Sequence, residues 1–520
     1  MEATQAFARP ANGALAGLRR FADAVIDLDF TAPLAFAALA VLYVASRIAW
    51  LDLGYGTDPD AWRVAITADY LWDQHDYFPS RLPGYPLHEL VTAGVTKYTF
   101  GLEPWVLANL STVGISIVGV YLFAWLAKKL EVEHRGALTL AFAFAPLLWI
   151  NSVMTMDYMW ALTFLLAAYL ALLYGAPNLA GLSLGIAAGF RLTSLFFLPA
   201  LLLFLWRSGR RHEVRPLIFS AASTTIAVYA IVMVDYGINF LNFYDQDVAL
   251  EEFVKRLGKD GLGIVGGLAV LAALALSLGR LRHLPGDLRR DPHVLLWTAT
   301  IVLFVLSYLR LPHEIAYLIP LFPFGFFLMA RYMGRGVLVV TLLVIVLAGF
   351  VDITSPDDET GIDSSTFTSA RIGKGMLLSD IDTLHNQMDF AREIREVTIT
   401  HPDIQTPAVV VTGFIYPELA YLYRDELEIG ILDHDLEAIS QLSDKGLAKD
   451  VARNITYVWL LEWDEFQFYD DGGTSIYLTE DAARSTFAVY GYRPGYFGST
   501  ILPLSRDNPS LGEGTADTDR

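Results

Sequence analysis

Two carboxylates in this sequence stand immediately after an apolar segment that is long enough to cross a membrane. Asp58 and Asp60 lie in YGTDPDAWRVA, which follows the apolar segment 33–51, and Asp157 precedes another apolar segment in MTMDYMWALTFLL. Ionisable groups close to hydrocarbon are costly and usually face a cavity or a partner, so these acids predict a functional site. Carboxylates can accept a proton, bind a divalent cation through oxygen, or cap the start of a helix.

Further ionisable side chains occur in similar surroundings. Arg191 interrupts the apolar stretch GLSLGIAAGFRLTS, and Arg310, His313 and Glu314 lie in RLPHEIAYLIPLFP. Ionisable groups at this depth usually face a cavity or a partner, so these residues are candidates for the same site.

The loop that carries Asp58 and Asp60 extends over residues 52–104 and contains a bend at SRLPGYP. Two prolines around a glycine predict a rigid bend that holds Arg81 and Tyr85 in place. The rest of the loop predicts amphipathic helices at the membrane interface. Their expected aromatic anchors are Trp62, Tyr70, Trp72 and Tyr77.

The composition indicates a polytopic membrane protein, because 54% of the 520 residues are hydrophobic and 13% are aromatic. Apolar runs of membrane-crossing length lie at residues 33–51, 105–127, 216–234, 262–279, 294–309, 314–330 and 336–351, and shorter or interrupted runs fill residues 137–206. We therefore expect an α-helical protein with about eleven transmembrane helices, embedded in the cytoplasmic membrane.

Clusters of basic residues predict the orientation of these helices. The clusters AKKLEVEHR, RSGRRHEVR, RLRHLPGDLRR and RYMGR should be cytoplasmic by the positive-inside rule. All four reach the cytoplasm if residues 179–206 are split at Arg191 into two short helices that each rise about 20 Å. The N-terminus is then cytoplasmic, and the candidate site residues gather on the extracytoplasmic side together with the C-terminal part of the chain.

The sequence divides into a membrane part and a soluble part. We expect a cytoplasmic segment at residues 1–32, a transmembrane domain at 33–351, an extracytoplasmic α/β domain at 352–505, and a disordered tail at 506–520. A helix is expected in DIDTLHNQMDFAREIREVTI, and strands are expected in AVVVTG, ITYVWLLEW, SIYLT and STFAVYGY.

Two properties of the composition exclude classes of function. Residues 352–520 contain 31 of the 56 Asp and Glu residues but only 12 of the 37 Lys and Arg residues, so the net charge of −19 belongs to this part. A strongly acidic domain argues against nucleic acid as a partner. The chain has no cysteine, which excludes disulfides and cysteine nucleophiles.

The order of these motifs resembles that of the GT-C glycosyltransferases. The similar features are acids directly after the first span, the proline-glycine bend, Asp157 before the fourth span, the GLSLGIAAGFRLTS hairpin and LPHEIAYLIPLFPF before the last spans. The pattern over residues 33–351 is similar to that of the protein O-mannosyltransferases and the lipid A aminoarabinose transferases. HEIAYLIPLFP is also similar to a segment of the lipid-linked mannosyltransferases.

This resemblance implies transfer of a sugar, with inversion, from a polyprenyl-phosphate carrier to a protein, lipid or glycan acceptor outside the cytoplasmic membrane. A carboxylate must take the proton of the acceptor hydroxyl, and a cation must stabilise the departing phosphate. Asp58 or Asp60 is the expected base, and Arg191 is the expected phosphate clamp. Asp157 is expected in the catalytic centre, where it would position the acceptor or orient a basic residue. The other residues expected to bind substrate are Arg81, Tyr85, Arg310, His313 and Glu314.

Several alternatives remain at this point. Asp58 could only cap a helix that begins at Pro59 or Asp60, and Arg191 could be an interfacial residue whose charge reaches the headgroups. No cofactor is expected, although Asp58, Asp60 and Asp157 could share a divalent metal. Other classes of function are a membrane transporter, a ligase or polymerase that uses diphosphate-linked glycans, and a non-catalytic GT-C-like scaffold subunit of an envelope-assembly complex.

Overall fold

A computed structural model provides the fold of the chain. It describes residues 23–238, 260–310, 314–354, 371–402, 404–430, 447–459, 472–479, 493–494 and 501–505. Most of residues 1–32, the whole predicted tail 506–520 and the predicted strand STFAVYGY lie outside the described residues. The described residues divide into two compact units.

The first unit is helical and contains most of the apolar segments. It comprises Met1–Asp52, Trp105–Ala230 and Tyr244–Ile381. Described helices of ten or more residues that lie wholly or partly within these bounds are Pro33–Ala45, Pro104–Lys129, Arg135–Phe144, Tyr158–Leu173, Pro177–Phe190, Phe197–Arg207, Val214–Tyr236, Ile264–Leu276, Pro292–Arg310, Leu321–Tyr332, Arg335–Ala348 and Met376–Thr400. Shorter helices and 3₁₀ turns are Ile48–Leu51, Pro146–Val153, Leu192–Phe196, Arg211–Glu213, Leu278–Leu281, Leu284–Arg290 and Ile315–Leu318.

Three of the described helices are long and apolar enough to cross a membrane: Pro104–Lys129, Arg211–Val234 and Pro292–Leu309. Two bent pairs, Arg135–Phe144 with Pro146–Val153 and Ile264–Leu276 with Leu278–Arg290, raise this number to five if each pair is one span. The expected number of about eleven spans stays a prediction, since the remaining apolar helices are shorter than a straight crossing requires.

The predicted break at Arg191 is confirmed. Helix Pro177–Phe190 ends there because Arg191 adopts an extended backbone, with φ −154° and ψ 112°. A 3₁₀ turn, Leu192–Phe196, follows, and helix Phe197–Arg207 continues the chain. The apolar residues 179–206 are therefore two short helices rather than one straight helix.

The second unit joins residues 53–104 to the C-terminal domain. It comprises Leu53–Pro104, Ile231–Phe243 and Asp382–Arg520. This division differs from the predicted domains, which placed loop 52–104 with the membrane helices and began the soluble domain at residue 352. The difference arises because loop residues pack on the C-terminal domain: the hydroxyl groups of Tyr55 and Tyr421 lie 2.7 Å apart, and the Trp62 ring contacts the Tyr421 ring.

The loop contains two helices, Pro59–Gln74 and Pro86–Thr96, which we call the first and second loop helices. The first loop helix begins at proline, a residue favoured in the first helical turn because no donor is lost there. Residues of its buried face, including Ala61, Trp62, Ala65 and Ala68, recur at helical spacing.

The C-terminal domain is α/β, as predicted. Strands β1 (Val351–Thr354) and β2 (Arg371–Lys374) pair antiparallel and belong to the first unit. The strands of the C-terminal domain are β3 (Ala408–Val411), β4 (Glu428–Gly430), β5 (Leu447–Asp450), β6 (Ile455–Val458), β7 (Ser475–Thr479), β8 (Arg493–Pro494) and β9 (Ile501–Ser505). Among the described residues the sheet order is β4-β5-β6-β3-β7-β9-β8. β3 runs parallel to both β6 and β7, with Val410 opposite Tyr457 and Tyr477.

Helices Met376–Thr400 and Tyr416–Leu422 supply the other half of the core of this domain. Buried apolar residues of the sheet pack against buried residues of both helices. All four residues of β3 are buried. A strand that is buried on both faces is typical of the middle of a parallel sheet, which explains the continuous apolar run AVVV.

Candidate functional site

Asp58 is the N-cap of the first loop helix. Its side chain accepts a hydrogen bond of 2.9 Å from the backbone N–H of Asp60. An aspartate at this position accepts a hydrogen bond from one of the backbone N–H groups that a helix start leaves unpaired. A carboxylate is also favourable beside the positive end of the helix dipole. Asp58 therefore caps this helix.

Asp60 lies in the first turn of the same helix and binds two arginines. Its Oδ1 is 2.9 Å from Nη1 of Arg63, and its Oδ2 is 3.0 Å from Nε of Arg81. Each of the two arginine side chains is only 11% exposed, whereas that of Asp60 is 27% exposed. We call Asp60, Arg63 and Arg81 the carboxylate-arginine cluster. It holds one carboxylate and two guanidinium groups at the start of a helix.

The bend at SRLPGYP positions Arg81 within this cluster. Gly84 has φ +89°, a conformation that a residue with a side chain rarely adopts, and its N–H donates to the carbonyl of Arg81 at 2.7 Å. The guanidinium of Arg81 lies over the ring of Tyr85, 4.0 Å from its centroid. The bend thus brings the guanidinium of Arg81 against the ring of Tyr85.

Glu89 of the second loop helix stabilises the bend through hydrogen bonds. Its carboxylate accepts from the backbone N–H and hydroxyl of Ser80, at 2.7 and 2.6 Å, and from the hydroxyl of Tyr77. Glu89 is buried. Burial raises the pKa of Glu89 above its usual value, although the hydrogen bonds from Ser80 and Tyr77 act in the opposite direction.

The first loop helix is also held from its other side by the C-terminal domain. The amide of Gln387 donates to the carbonyl of Thr57 at 3.2 Å, and Arg424 binds Asp69 at 3.0 Å. Burial raises the pKa of Asp69 to about 6 in spite of Arg424. The start of the helix, which carries the cluster, is thus fixed by contacts along its length.

The first unit contains a second charged site, around Arg191. Nη1 of Arg191 donates to Oδ2 of Asp157 at 2.8 Å, and Nη2 donates to the hydroxyl of Tyr158 at 3.2 Å. The guanidinium also lies between the rings of Tyr158 and Tyr317, with centroids at 3.8 and 4.4 Å. Asp157 is fully buried and Arg191 nearly so. Asp157 is therefore the ion-pair partner of Arg191.

Arg47 is a buried cation at the end of the first apolar segment. Nη2 donates to the carbonyl of Ala143 at 2.6 Å, and Nε donates to the hydroxyl of Ser152 at 3.3 Å. The guanidinium also packs on the rings of Tyr43 and Trp149, with centroids at 3.5 and 4.1 Å. The Ala143 carbonyl lies at the end of helix Arg135–Phe144, where the negative end of a helix dipole favours a cation.

The structure describes only some of the site residues predicted in the segment RLPHEI. Glu314 caps the 3₁₀ turn Ile315–Leu318, because its Oε1 accepts from the N–H of Ala316 at 3.0 Å. Tyr317 of the same turn contacts Arg191, as described above. Arg310 ends helix Pro292–Arg310, but its side chain is outside the described part of the chain, as is the whole of His313.

The structure brings the predicted residues together in two groups. Asp58, Asp60, Arg81 and Tyr85 belong to the second unit, and Asp157, Arg191 and Glu314 belong to the first. Sequence reasoning missed Arg63, although an acid and an arginine three residues apart at a helix start are a recognisable signal. It also missed Glu89, Tyr158, Tyr317 and Arg47, for which the sequence offers no local signal. Within the described residues no group of three or more potential metal ligands occurs.

Comparisons with known proteins gave two similar structures. No protein-family model and no curated protein sequence matches the chain. The crystal structure of ArnT from Cupriavidus metallidurans in the apo state is 13% identical, with a TM-score of 0.47, and that of ArnT bound to undecaprenyl phosphate is 14% identical, with a TM-score of 0.48. Each alignment covers 90% of this chain and 98% of the other. At this level the likeness assigns neither a family nor an activity to the chain.

Proposed function

We propose that this protein is a GT-C-like membrane glycosyltransferase that moves a sugar from a polyprenyl phosphate to an acceptor hydroxyl on the extracytoplasmic face. The carboxylate-arginine cluster is the observation that carries the proposal. It combines the two groups that this reaction needs: a carboxylate that can accept the acceptor proton and guanidinium groups that can bind a phosphate.

The proposed reaction is a single displacement. The acceptor oxygen attacks the anomeric carbon from the side opposite the phosphate, and the bond between that carbon and the phosphate oxygen breaks. The acceptor proton moves to the carboxylate of Asp60, and the bonding electrons leave with the polyprenyl phosphate. One bond forms on the face opposite the bond that breaks, so the anomeric configuration inverts.

Asp60 is the proposed base, and Asp58 is proposed to hold the helix start. The carboxylate of Asp60 forms salt bridges with Arg63 and Arg81. In Asp58, one carboxylate oxygen accepts the hydrogen bond that caps the helix. A bound phosphate would compete with Asp60 for the two guanidinium groups. Donor binding would in this way release the carboxylate, which could then accept the proton of the acceptor hydroxyl. Tyr85 is proposed to hold Arg81 in position, because its ring packs against the guanidinium.

Arg191 is proposed as a further phosphate-binding cation, with Asp157 as its positioning residue. The carboxylate of Asp157 and the rings of Tyr158 and Tyr317 hold the guanidinium in one orientation. Such preorganisation makes a cation more effective towards charge that develops in a transition state. Arg310 and His313 stay substrate-binding predictions, and Glu314 is proposed to position Tyr317 through its cap.

The test measures release of polyprenyl phosphate by the purified protein from a panel of polyprenyl-phosphate sugars, with and without EDTA. Wild type is compared with Asp60→Asn, Asp58→Asn and Asp73→Asn, the last being a matched control at an exposed position of the same helix. Loss of turnover in Asp60→Asn alone, with unchanged thermal unfolding, supports the proposal. Equal behaviour of all variants on every donor would overturn it. Dependence on added metal would assign the acids to a metal site instead.

A further inference from the structure

A short segment after the second loop helix exposes large apolar side chains. In Lys97–Leu102, which we call the anchor loop, Tyr98 is 63% exposed, Phe100 is 88% exposed and Leu102 is 51% exposed. The three side chains alternate with Lys97, Thr99 and Gly101 along the chain. By contrast, two of the anchors expected from the sequence, Trp62 and Tyr77, are buried.

The backbone of the anchor loop presents Phe100 outward at an energetic cost. Phe100 has φ +52°, a left-handed conformation that is unfavourable for a bulky residue, and Gly101 follows with φ +82°. The N–H of Leu102 closes the turn by donating to the carbonyl of Thr99 at 2.9 Å. Strain of this kind persists where it serves a function, yet the Phe100 ring gains little burial within the chain.

The position of the anchor loop in the chain indicates what covers it. Helix Pro104–Lys129, which is long and apolar enough to cross a membrane, begins directly after the loop. Three residues lie between Phe100 and Pro104, so the two are within about 14 Å of each other along the chain. Phe100 must therefore lie close to the level at which that helix enters the bilayer, where aromatic and basic side chains are favoured.

We propose that the anchor loop is a membrane-binding surface that inserts Phe100 and Leu102 among the lipids of the leaflet where helix Pro104–Lys129 begins. Tyr98 then lies at the headgroups, and the ammonium group of Lys97 lies near lipid phosphate. This proposal does not depend on the glycosyltransferase reaction.

Contacts within the second unit connect the anchor loop to the first loop helix. The Lys97 ammonium is 3.4 Å from the centroid of the Trp72 ring, and Nε1 of Trp72 donates to the carbonyl of Ala93 at 2.8 Å. Trp72 belongs to the first loop helix and Ala93 to the second. Membrane insertion of the loop thereby fixes the height of the helix that carries Asp60 above the lipid.

The absence of cysteine from the chain permits a direct test with single labels. Phe100→Cys and Val451→Cys are each labelled with an environment-sensitive fluorophore and reconstituted as the full chain in phosphatidylcholine vesicles. Val451 is the control, because it is an apolar residue that is 55% exposed and lies in the C-terminal domain. Fluorescence is recorded with ordinary lipids and with lipids brominated in the acyl chains.

We expect the label at position 100 to emit at shorter wavelength than in water, and we expect brominated lipids to quench this emission. The label at position 451 should show neither effect. If both labels emit as they do in water and neither is quenched by brominated lipids, the proposal is overturned. Thermal unfolding of each variant shows that it is folded, and a Leu102→Cys label provides the same readout if Phe100→Cys does not fold.

Discussion

Nε of Arg81 lies 3.0 Å from Oδ2 of Asp60, so the bend between the two loop helices reaches back to the start of the first loop helix. The stacking of Arg81 on Tyr85 and the hydrogen bonds of Glu89 make this return a fixed geometry. The carboxylate and the cation are consequently preorganised before any substrate binds.

Replacement of Arg81 by lysine should impair turnover although the charge is kept. Lysine has neither the planar fork that binds two phosphate oxygens nor the flat face that packs on Tyr85, so we expect kcat to fall by about tenfold or more. Steady-state release of polyprenyl phosphate measures the effect. Arg392→Lys, at an exposed position of helix Met376–Thr400, is the control. Equal kcat in both variants would argue against a role for Arg81 in catalysis.

Removal of the buried guanidinium of Arg47 should destabilise the first unit. Arg47→Met leaves the Ala143 carbonyl and the Ser152 hydroxyl without this donor and loses the contacts with two aromatic rings. We expect a loss of about 2 to 3 kcal/mol in the free energy of unfolding. Thermal unfolding in detergent compares it with Lys129→Met, where an exposed cation is removed. A stability equal to that of the control would show that Arg47 is dispensable for the fold.

The ion pairs of Arg395 should be essential to the C-terminal domain. Arg395 is buried and binds Asp450 at 2.8 Å and Glu426 at 2.9 Å. Arg395→Met leaves the buried carboxylate of Asp450 without its main partner, which costs about 3 to 5 kcal/mol. A double-mutant cycle with Asp450→Asn should recover part of this loss. Simple additivity of the two variants would contradict the pairing.

The same pair should make stability depend on pH in acid. Burial disfavours the charged form of Asp450, but the hydrogen bonds from Arg395 and Arg453 outweigh it and hold the pKa of Asp450 below its usual value. The stabilisation is present above the pKa of the unfolded chain and is lost as the pH falls through the folded pKa. Asp450→Asn should flatten this acid limb of a stability profile.

The buried carboxyl group of Glu418 should make the protein less stable as the pH rises, which is the opposite of the effect of Asp450. It is buried in helix Tyr416–Leu422, its Oε1 has no hydrogen-bond partner among the described residues, and burial raises its pKa to about 8. Because the folded pKa is above the unfolded one, stability is lost as the pH rises from about 4.5 towards 8. Glu418→Gln should raise the unfolding free energy at pH 8 by about 1 to 3 kcal/mol. Chemical denaturation at pH 5 and pH 8 measures this change, with exposed Glu428→Gln as the control. An unchanged pH profile would contradict it.

Features with a local cause could be predicted from the sequence. The N-cap at Asp58 follows from an Asp-Pro pair before a helix, and the break at Arg191 follows from the cost of placing basic clusters outside. Strands β3 and β7 follow from short apolar runs between turn residues. For the cap and the strands the signal and the structure lie within a few residues of each other, whereas the break at Arg191 is predicted from basic clusters farther along the chain.

Features that depend on distant contacts could not be predicted in this way. The sequence placed Trp62 at the membrane interface because aromatic residues prefer it, yet contact with Tyr421 buries the ring within the second unit. Arg47 gave no signal because its partners belong to helices far along the chain. The grouping of loop 53–104 with the C-terminal domain has the same cause.

The contact between Tyr55 and Tyr421 joins positions 366 residues apart. At typical rates of synthesis, roughly 20 to 70 s pass between the appearance of these two tyrosines on the ribosome. During that interval the first loop helix has no C-terminal domain to pack on, and the aromatic face around Trp62 is uncovered. Completion of the chain is therefore also completion of the surroundings of Asp60, and a prematurely ended chain would carry the proposed base without the packing that holds its helix.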